Sequence, residues 1–129
     1  MDITLALHKK LEALANLDSQ GKRGHPRFSV YVIEVDKVDP NLQCDFYVGS
    51  TVHPVWQRLQ QHIEGHKLAS RPFKYGRGKA KCVRWDLMEN YPKYFSRANA
   101  EEAERLVAIA LQSAGWVVHC NMLNYTVSD

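Results

Sequence analysis

The chain has 129 residues and a mass of 14.8 kDa, enough for one hydrophobic core and too little for two. Apolar residues make up 45% and charged residues 24%, a globular balance that excludes a disordered or fibrous chain, and no apolar run approaches a membrane span. Formal net charge is +3 with a sequence pI near 8.8, a mild lean toward polyanions whose meaning depends on where the cations fall.

Asp2 precedes any base, and no apolar stretch is followed by a small-residue cleavage pattern, so no secretory signal is expected and the expected setting is the cytoplasm. Ile3, Leu7, Leu11, Leu14 and Leu17 recur at three- and four-residue steps, the stripe of an amphipathic helix. Asp18 to Pro26 is polar, with Gly21 and Gly24 around Lys22 and Arg23, and reads as a linker. The expected division is an N-terminal helix with a basic linker over 1–27 and a domain over 28–129. The helix stripe wants cover, from its own domain, a second copy of the chain or a protein partner.

Phe28 to Val35 is dominated by β-branched and aromatic residues, and Asp45 to Gly49 repeats that character after the turn-forming Asp39-Pro40-Asn41. An antiparallel hairpin follows. Period-2 geometry sets Tyr31, Ile33 and Val35 on one face of the first strand and turns Tyr47 away from Phe46 and Val48 on the second. Pro54 suits a helix start, Val55, Leu59 and Ile63 recur every four residues, and Gly65 can end the element, so a helix is expected over 54–64 with Arg58 and His62 one turn apart.

A third strand is expected at Lys81 to Met88. A longer helix is expected from about Ala100 to Ala114, its stripe formed by Ala103, Leu106, Val107, Ala110, Leu111 and Ala114, with Gly115 ending it and a last strand at Trp116 to Asn121. The expected fold class is α+β, a compact α/β sandwich: a small, mainly antiparallel sheet of three or four strands flanked by helices.

Between Glu64 and Asp86 there is no acid, yet the interval holds Lys67, Arg71, Lys74, Arg77, Lys79, Lys81 and Arg84, seven of the chain's 17 bases, interleaved with Phe73, Tyr75 and Trp85. Such a segment, with Gly76 and Gly78 permitting close backbone approach, fits a phosphate backbone. It fits a solvated basic loop equally well. His62, His66, Cys82, His119 and Cys120 offer zinc ligands, but Gly65 interrupts the helical face of the first two and the other spacings match no recognised zinc pattern. The three cysteines form no CxxC pair and read as small buried hydrophobes rather than a disulfide framework.

From Phe28 to Asn121 the chain resembles a GIY-YIG nuclease domain. Ser29-Val30-Tyr31 stands at the family's first tripeptide, Tyr47-Val48-Gly49 at its second, and Arg58 and His62 match its arginine and the histidine one turn later. The resemblance implies a DNA endonuclease with Tyr31, Tyr47, Arg58, His62 and a glutamate as its site, Gly49 and Asn121 in support, and one Mg²⁺ or Mn²⁺ ion. Double-stranded DNA is the expected partner. For the glutamate, Asn99 reads as an N-cap, with Glu102 three residues on as its capping-box partner and Glu101 at the positive end of the helix dipole. Glu104 lies deeper, beside the apolar stripe, where a carboxyl would border the sheet and lose solvent; it is the expected metal ligand.

The chemistry is consistent with so few residues. Mg²⁺ keeps most of its waters and needs one or two carboxylates, and a guanidinium gives a scissile phosphate paired donors and a permanent charge. Tyr31, as the family's general base, starts from an ordinary phenol pKa of about 10 and needs help to ionise. Ser29 stands in place of the family's first glycine, and Glu34 where many relatives place a lysine. Those two positions favour an alternative: a nucleic-acid-binding module that kept the fold and lost cleavage.

Overall fold

A computed structural model describes residues 3–37, 44–63, 78–88 and 90–123. In chain order these form helix α1 (Ile3–Ser19), strand β1 (Ser29–Lys37), strand β2 (Phe46–Thr51), helix α2 (Val55–Ile63), strand β3 (Gly78–Val83), helix α3 (Arg97–Ser113) and strand β4 (Val118–His119). The class is α+β with one four-stranded sheet in the order β3-β1-β2-β4. β1 pairs antiparallel with β2 and β3, whereas β4 runs parallel to β2. The sheet is therefore mixed: β1 pairs antiparallel with both its neighbours, as a mainly antiparallel sheet requires, and the parallel pairing comes from a two-residue strand at one edge. Among the described residues no helix is long and apolar enough to cross a membrane.

Strand alternation divides the core into two. Val30, Val32, Phe46 and Val48 face α3 and join Ala100, Ala103, Val107, Ala108 and Leu111 in the larger cluster. On the other face, Tyr31, Ile33, Val35 and Tyr47 cluster with Cys44, Ala80 and Val83, and Val55 and Leu59 of α2 pack on them. The sides assigned to these strand residues by their period-2 pattern are those observed. The third strand ends at Val83, and Trp85 to Met88 turn instead, with Leu87 and Met88 amides bonded to the carbonyls of Arg84 and Trp85.

The cover for α1 comes from the chain itself. Leu7 and Leu11 are buried in the larger cluster with the α3 alanines, and the Tyr94 hydroxyl donates to the Leu11 carbonyl at 3.2 Å. Asp18, read as the start of a polar linker, is instead the last-turn residue of α1 and is buried. Its carboxylate accepts from the Phe95 amide, from the Ser96 amide and hydroxyl at 3.1 and 2.8 Å, and from Asn99 Nδ2 at 2.9 Å. The N-cap of α3 is accordingly Ser96, whose hydroxyl accepts from the Asn99 amide, and not Asn99. Glu102 makes no capping box either; it pairs with Arg105 one turn on.

Burial works to raise the Asp18 pKa, but the bonds from Asn99, Phe95 and Ser96 outweigh it and hold the carboxyl below the usual range. A depressed folded pKa contributes stability that is present above the unfolded pKa and lost as pH falls through the folded value. Asp18→Ala is expected to destabilise the fold at pH 7 by about 2–4 kcal/mol, because it leaves buried amides at the start of α3 without an acceptor. In urea denaturation the gap between the two proteins should narrow below about pH 4; a gap unchanged down to pH 2 would show that the carboxylate charge contributes nothing.

Candidate active site

Tyr31 lies directly across from Gly49 in the β1–β2 ladder. A Cβ at Gly49 would lie 2.6 Å from the Tyr31 hydroxyl oxygen, 2.8 Å from its Cζ and 2.9 Å from Tyr47 Cε1. The ring of Tyr31 therefore lies over the backbone of β2, in space that only glycine leaves open. Beside it sits the Tyr47 ring, with centroids 6.0 Å apart and planes tilted by 46°. Both tyrosines are buried, at 1% and 4% exposure.

Arg58 approaches from the middle of α2. Its Nε donates to the Tyr31 hydroxyl oxygen at 3.3 Å, and its Nη1 donates to Gln61 Oε1 at 2.7 Å. Gln61 is three residues further along the same helix, so the two side chains share a face and steady the fork. From the opposite side His119 stacks on Tyr47 with centroids 5.8 Å apart and planes at 25°, delivered there by the parallel pairing of Tyr47 with His119.

Burial is the largest influence on the Tyr31 phenol and raises its pKa well above the ordinary value; the neighbouring Tyr47 raises it further, while the charge and hydrogen bond of Arg58 pull it down without prevailing. Tyr31 is thus a protonated hydroxyl at neutral pH.

Glu104 is buried, at 7% exposure, on the sheet-facing side of α3 where its place in the helix pattern put it. Burial raises its pKa to about 7; a hydrogen bond with Ser50 and the charge of Arg97 oppose this, and Glu101 adds to it. The Cys120 thiol beside it is pushed up to about 11 by burial first and by Glu104 as a smaller cause. Ser50 follows Gly49 in β2, so alternation turns it toward α3 and away from Tyr31.

The structure thus brings Tyr31, Tyr47, Gly49 and Arg58 together on the α2 face, and sets the Glu104 carboxyl against the next residue of the same strand on the α3 face. His62 is placed by its backbone one turn beyond Arg58, and its side chain lies outside the described residues. Asn121 is exposed just past β4. Three further residues reach the site. Gln61 was findable from the three-residue helical spacing and Ser50 from strand alternation. His119 at Tyr47 depends on a parallel pairing that carries no local signal.

Around Glu104 lie the Ser50 hydroxyl, the Glu101 carboxyl one turn back, the charge of Arg97 and the Cys120 thiol. The hydroxyl and the two carboxyls are oxygen donors of the kind a hard divalent ion takes, and a cation would relieve the repulsion between the carboxyls. Among the described residues no three His, Cys, Asp or Glu side chains gather as a metal site, and His66 lies outside them, so the zinc reading gains nothing. Glu34 pairs with Lys81 Nζ at 2.9 Å and Arg84 Nη1 at 3.0 Å, on the face opposite Tyr31. Of the basic segment, Lys67, Arg71, Lys74, Arg77 and the side chain of Lys79 lie outside the described residues, while Arg84 is further engaged by Asp86 at 2.8 Å. No family model, curated protein or solved structure matches the chain.

Two stability measurements test this geometry. Gly49→Ala is expected to cost about 1–3 kcal/mol in chemical denaturation, because the new methyl meets two rings fixed on their own strands; a Gly49→Ala variant as stable as its parent would show that the rings do not occupy that space. The second concerns Glu104. A carboxyl whose folded pKa is raised from 4.5 to about 7 gives stability that is whole below the unfolded pKa and is lost as pH rises through the folded one. In EDTA the parent should lose on the order of 3 kcal/mol relative to Glu104→Gln between pH 4.5 and pH 7, then run parallel to it.

Proposed function

We propose that the chain is a metal-dependent endonuclease of GIY-YIG type that hydrolyses phosphodiester bonds of DNA. The observation that carries this reading is the seating of the Arg58 guanidinium on the Tyr31 phenol, over the gap left by Gly49 and beside Tyr47. Residues from β1, β2 and α2 that the resemblance names separately converge there. A structural tyrosine pair alone would need no arginine.

Arg58 supplies a charged, planar fork for the non-bridging oxygens of the scissile phosphate, where charge grows in the transition state. Tyr31 assists water attack by orientation: its hydroxyl, held by Arg58 and Tyr47, positions the water in line without prior ionisation. Tyr47 and His119 hold that hydroxyl in place by packing. Glu104, with Ser50 and Glu101 near it, is the group that would hold one Mg²⁺ or Mn²⁺ ion. Such an ion, when bound, supplies Lewis-acid stabilisation of phosphate oxygens and acidifies its bound water. Cys44, Cys82 and Cys120 form no disulfide with one another, which supports a reducing cytoplasmic setting.

The second reading, a nucleic-acid-binding module without cleavage, is favoured by one observation: the Glu104 carboxyl meets Ser50 on the α3 face while the phenols lie on the α2 face. Incubation with supercoiled plasmid separates the two. The nuclease reading expects nicking with Mg²⁺ or Mn²⁺, none in EDTA, a loss of about 10²-fold or more in Arg58→Ala, and a comparable loss in Glu104→Gln. Plasmid binding with no nicking under either metal would establish the module. Nicking that survives Glu104→Gln would remove the metal assignment and leave Arg58 in place. Mn²⁺ should also raise the melting temperature of the parent and not that of Glu104→Gln, a readout independent of activity.

A further inference from the structure

A groove of about 560 Å³ runs between the segment entering β1, the β2–α2 turn and the residues that follow β3, a volume within the ~300–1,000 Å³ usual for ligand sites. Trp56 and Trp85 line it from different elements and are 67% and 62% exposed. Tryptophan is ordinarily among the more buried side chains, and two indoles left in solvent on one groove are not explained by the core. Trp116, the third tryptophan, differs: it lies outside the groove and is engaged edge-on by Phe46 at 5.0 Å.

Among the described residues, Arg27 and Lys93 are the charged members of the groove's lining, His53 stands with them, and no described acid contributes. Prolines 26, 54 and 92, one in each wall segment, restrict the backbone there and lower the cost of ordering it around a ligand. Ser29 and Val30 of the groove precede Tyr31 on β1, and Trp56 stands on α2, the helix that also carries Arg58.

We propose that this groove binds an unpaired stretch of nucleic-acid strand, its bases stacking on Trp56 and Trp85 and its phosphates meeting Arg27 and Lys93. Exposed rings on two separate elements ask for separate flat faces, and cations spaced along the groove ask for repeated anions. A single strand offers both, whereas the bases of an intact duplex have their faces covered. Binding in the groove stands apart from the proposed cleavage.

The test follows indole fluorescence of the full chain in EDTA, so that no cleavage intervenes, during titration with an oligothymidylate of eight nucleotides. Saturable quenching is expected, retained in Trp116→Phe. Trp56→Ala and Trp85→Ala should each weaken binding about tenfold, Trp56→Phe less, and the double alanine variant should show no groove-dependent quenching. Lys93→Ala should reduce the slope of log affinity against log salt by about 0.7. Thermal melts equal to the parent's confirm that these exposed substitutions leave the fold intact. Binding by the double variant within twofold of the parent would overturn the proposal. So would equal competition by a blunt duplex of the same length, by thymidine monophosphate, or by an acidic peptide, each of which assigns the groove a different occupant. Quenching without plasmid nicking leaves the groove standing and removes the nuclease; nicking without quenching does the reverse.

Discussion

The missing side chain at position 49 is the constraint on which the candidate site depends. Glycine inside a strand costs roughly 0.5–1 kcal/mol relative to alanine, and here the space it leaves is filled by two phenol rings that approach a hypothetical Cβ to within 2.9 Å. With that space closed, Tyr31 would have to leave β2, its hydroxyl would move from Arg58, and Tyr47 would lose its neighbour. The arrangement also fixes register, since a slip of one residue would put Val48 or Ser50 opposite Tyr31 and reverse the facing of every strand residue.

Burial sets the charge state of what surrounds that gap. It pushes the Tyr31 phenol toward its neutral form and the Glu104 carboxyl to about 7, so near neutral pH the permanent charge among these residues is the Arg58 guanidinium. A fixed cation beside neutral groups favours an anion at that place. A divalent cation beside the Glu104 carboxyl would favour its ionised form against that burial. The same physics makes the protein pay in stability for a carboxyl that is more comfortable protonated.

The facing of β1 and β2 was legible because alternation is short-ranged and strong: Tyr31, Ile33 and Val35 share one side, and Tyr47 turns away from Phe46 and Val48, as their spacing alone requires. The burial of Glu104 was legible for the matching reason on a helix. What was hidden rests on partners distant in sequence. Ser96 and Asn99 are both capping residue types three positions apart, and the choice between them belongs to Asp18, more than seventy residues away, which occupies the Asn99 amide. Glu34 looked like a misplaced acid where a base was wanted; its partners Lys81 and Arg84 arrive only when β3 pairs with β1. The parallel seat of β4, and with it His119 on Tyr47, follows from two ladder residues that no periodicity announces.

Those distant pairings also redistribute the chain's electrostatics. Read along the sequence, the bases before Asp86 form one uninterrupted positive run, and Lys81 and Arg84 belong to it. In the fold both are turned to acids, Glu34 and Asp86, and Arg84 further lies over the Phe46 ring at 5.3 Å. Cations already paired with carboxylates release few counterions from a polyanion and add little to its binding. Among the described residues, by contrast, Arg27 and Lys93 line a groove to which no described acid contributes, and Arg58 is bonded to the Tyr31 hydroxyl and to Gln61. Which cations keep their charge uncommitted is therefore decided by how the strands pair, and not by how many bases the sequence holds in a row.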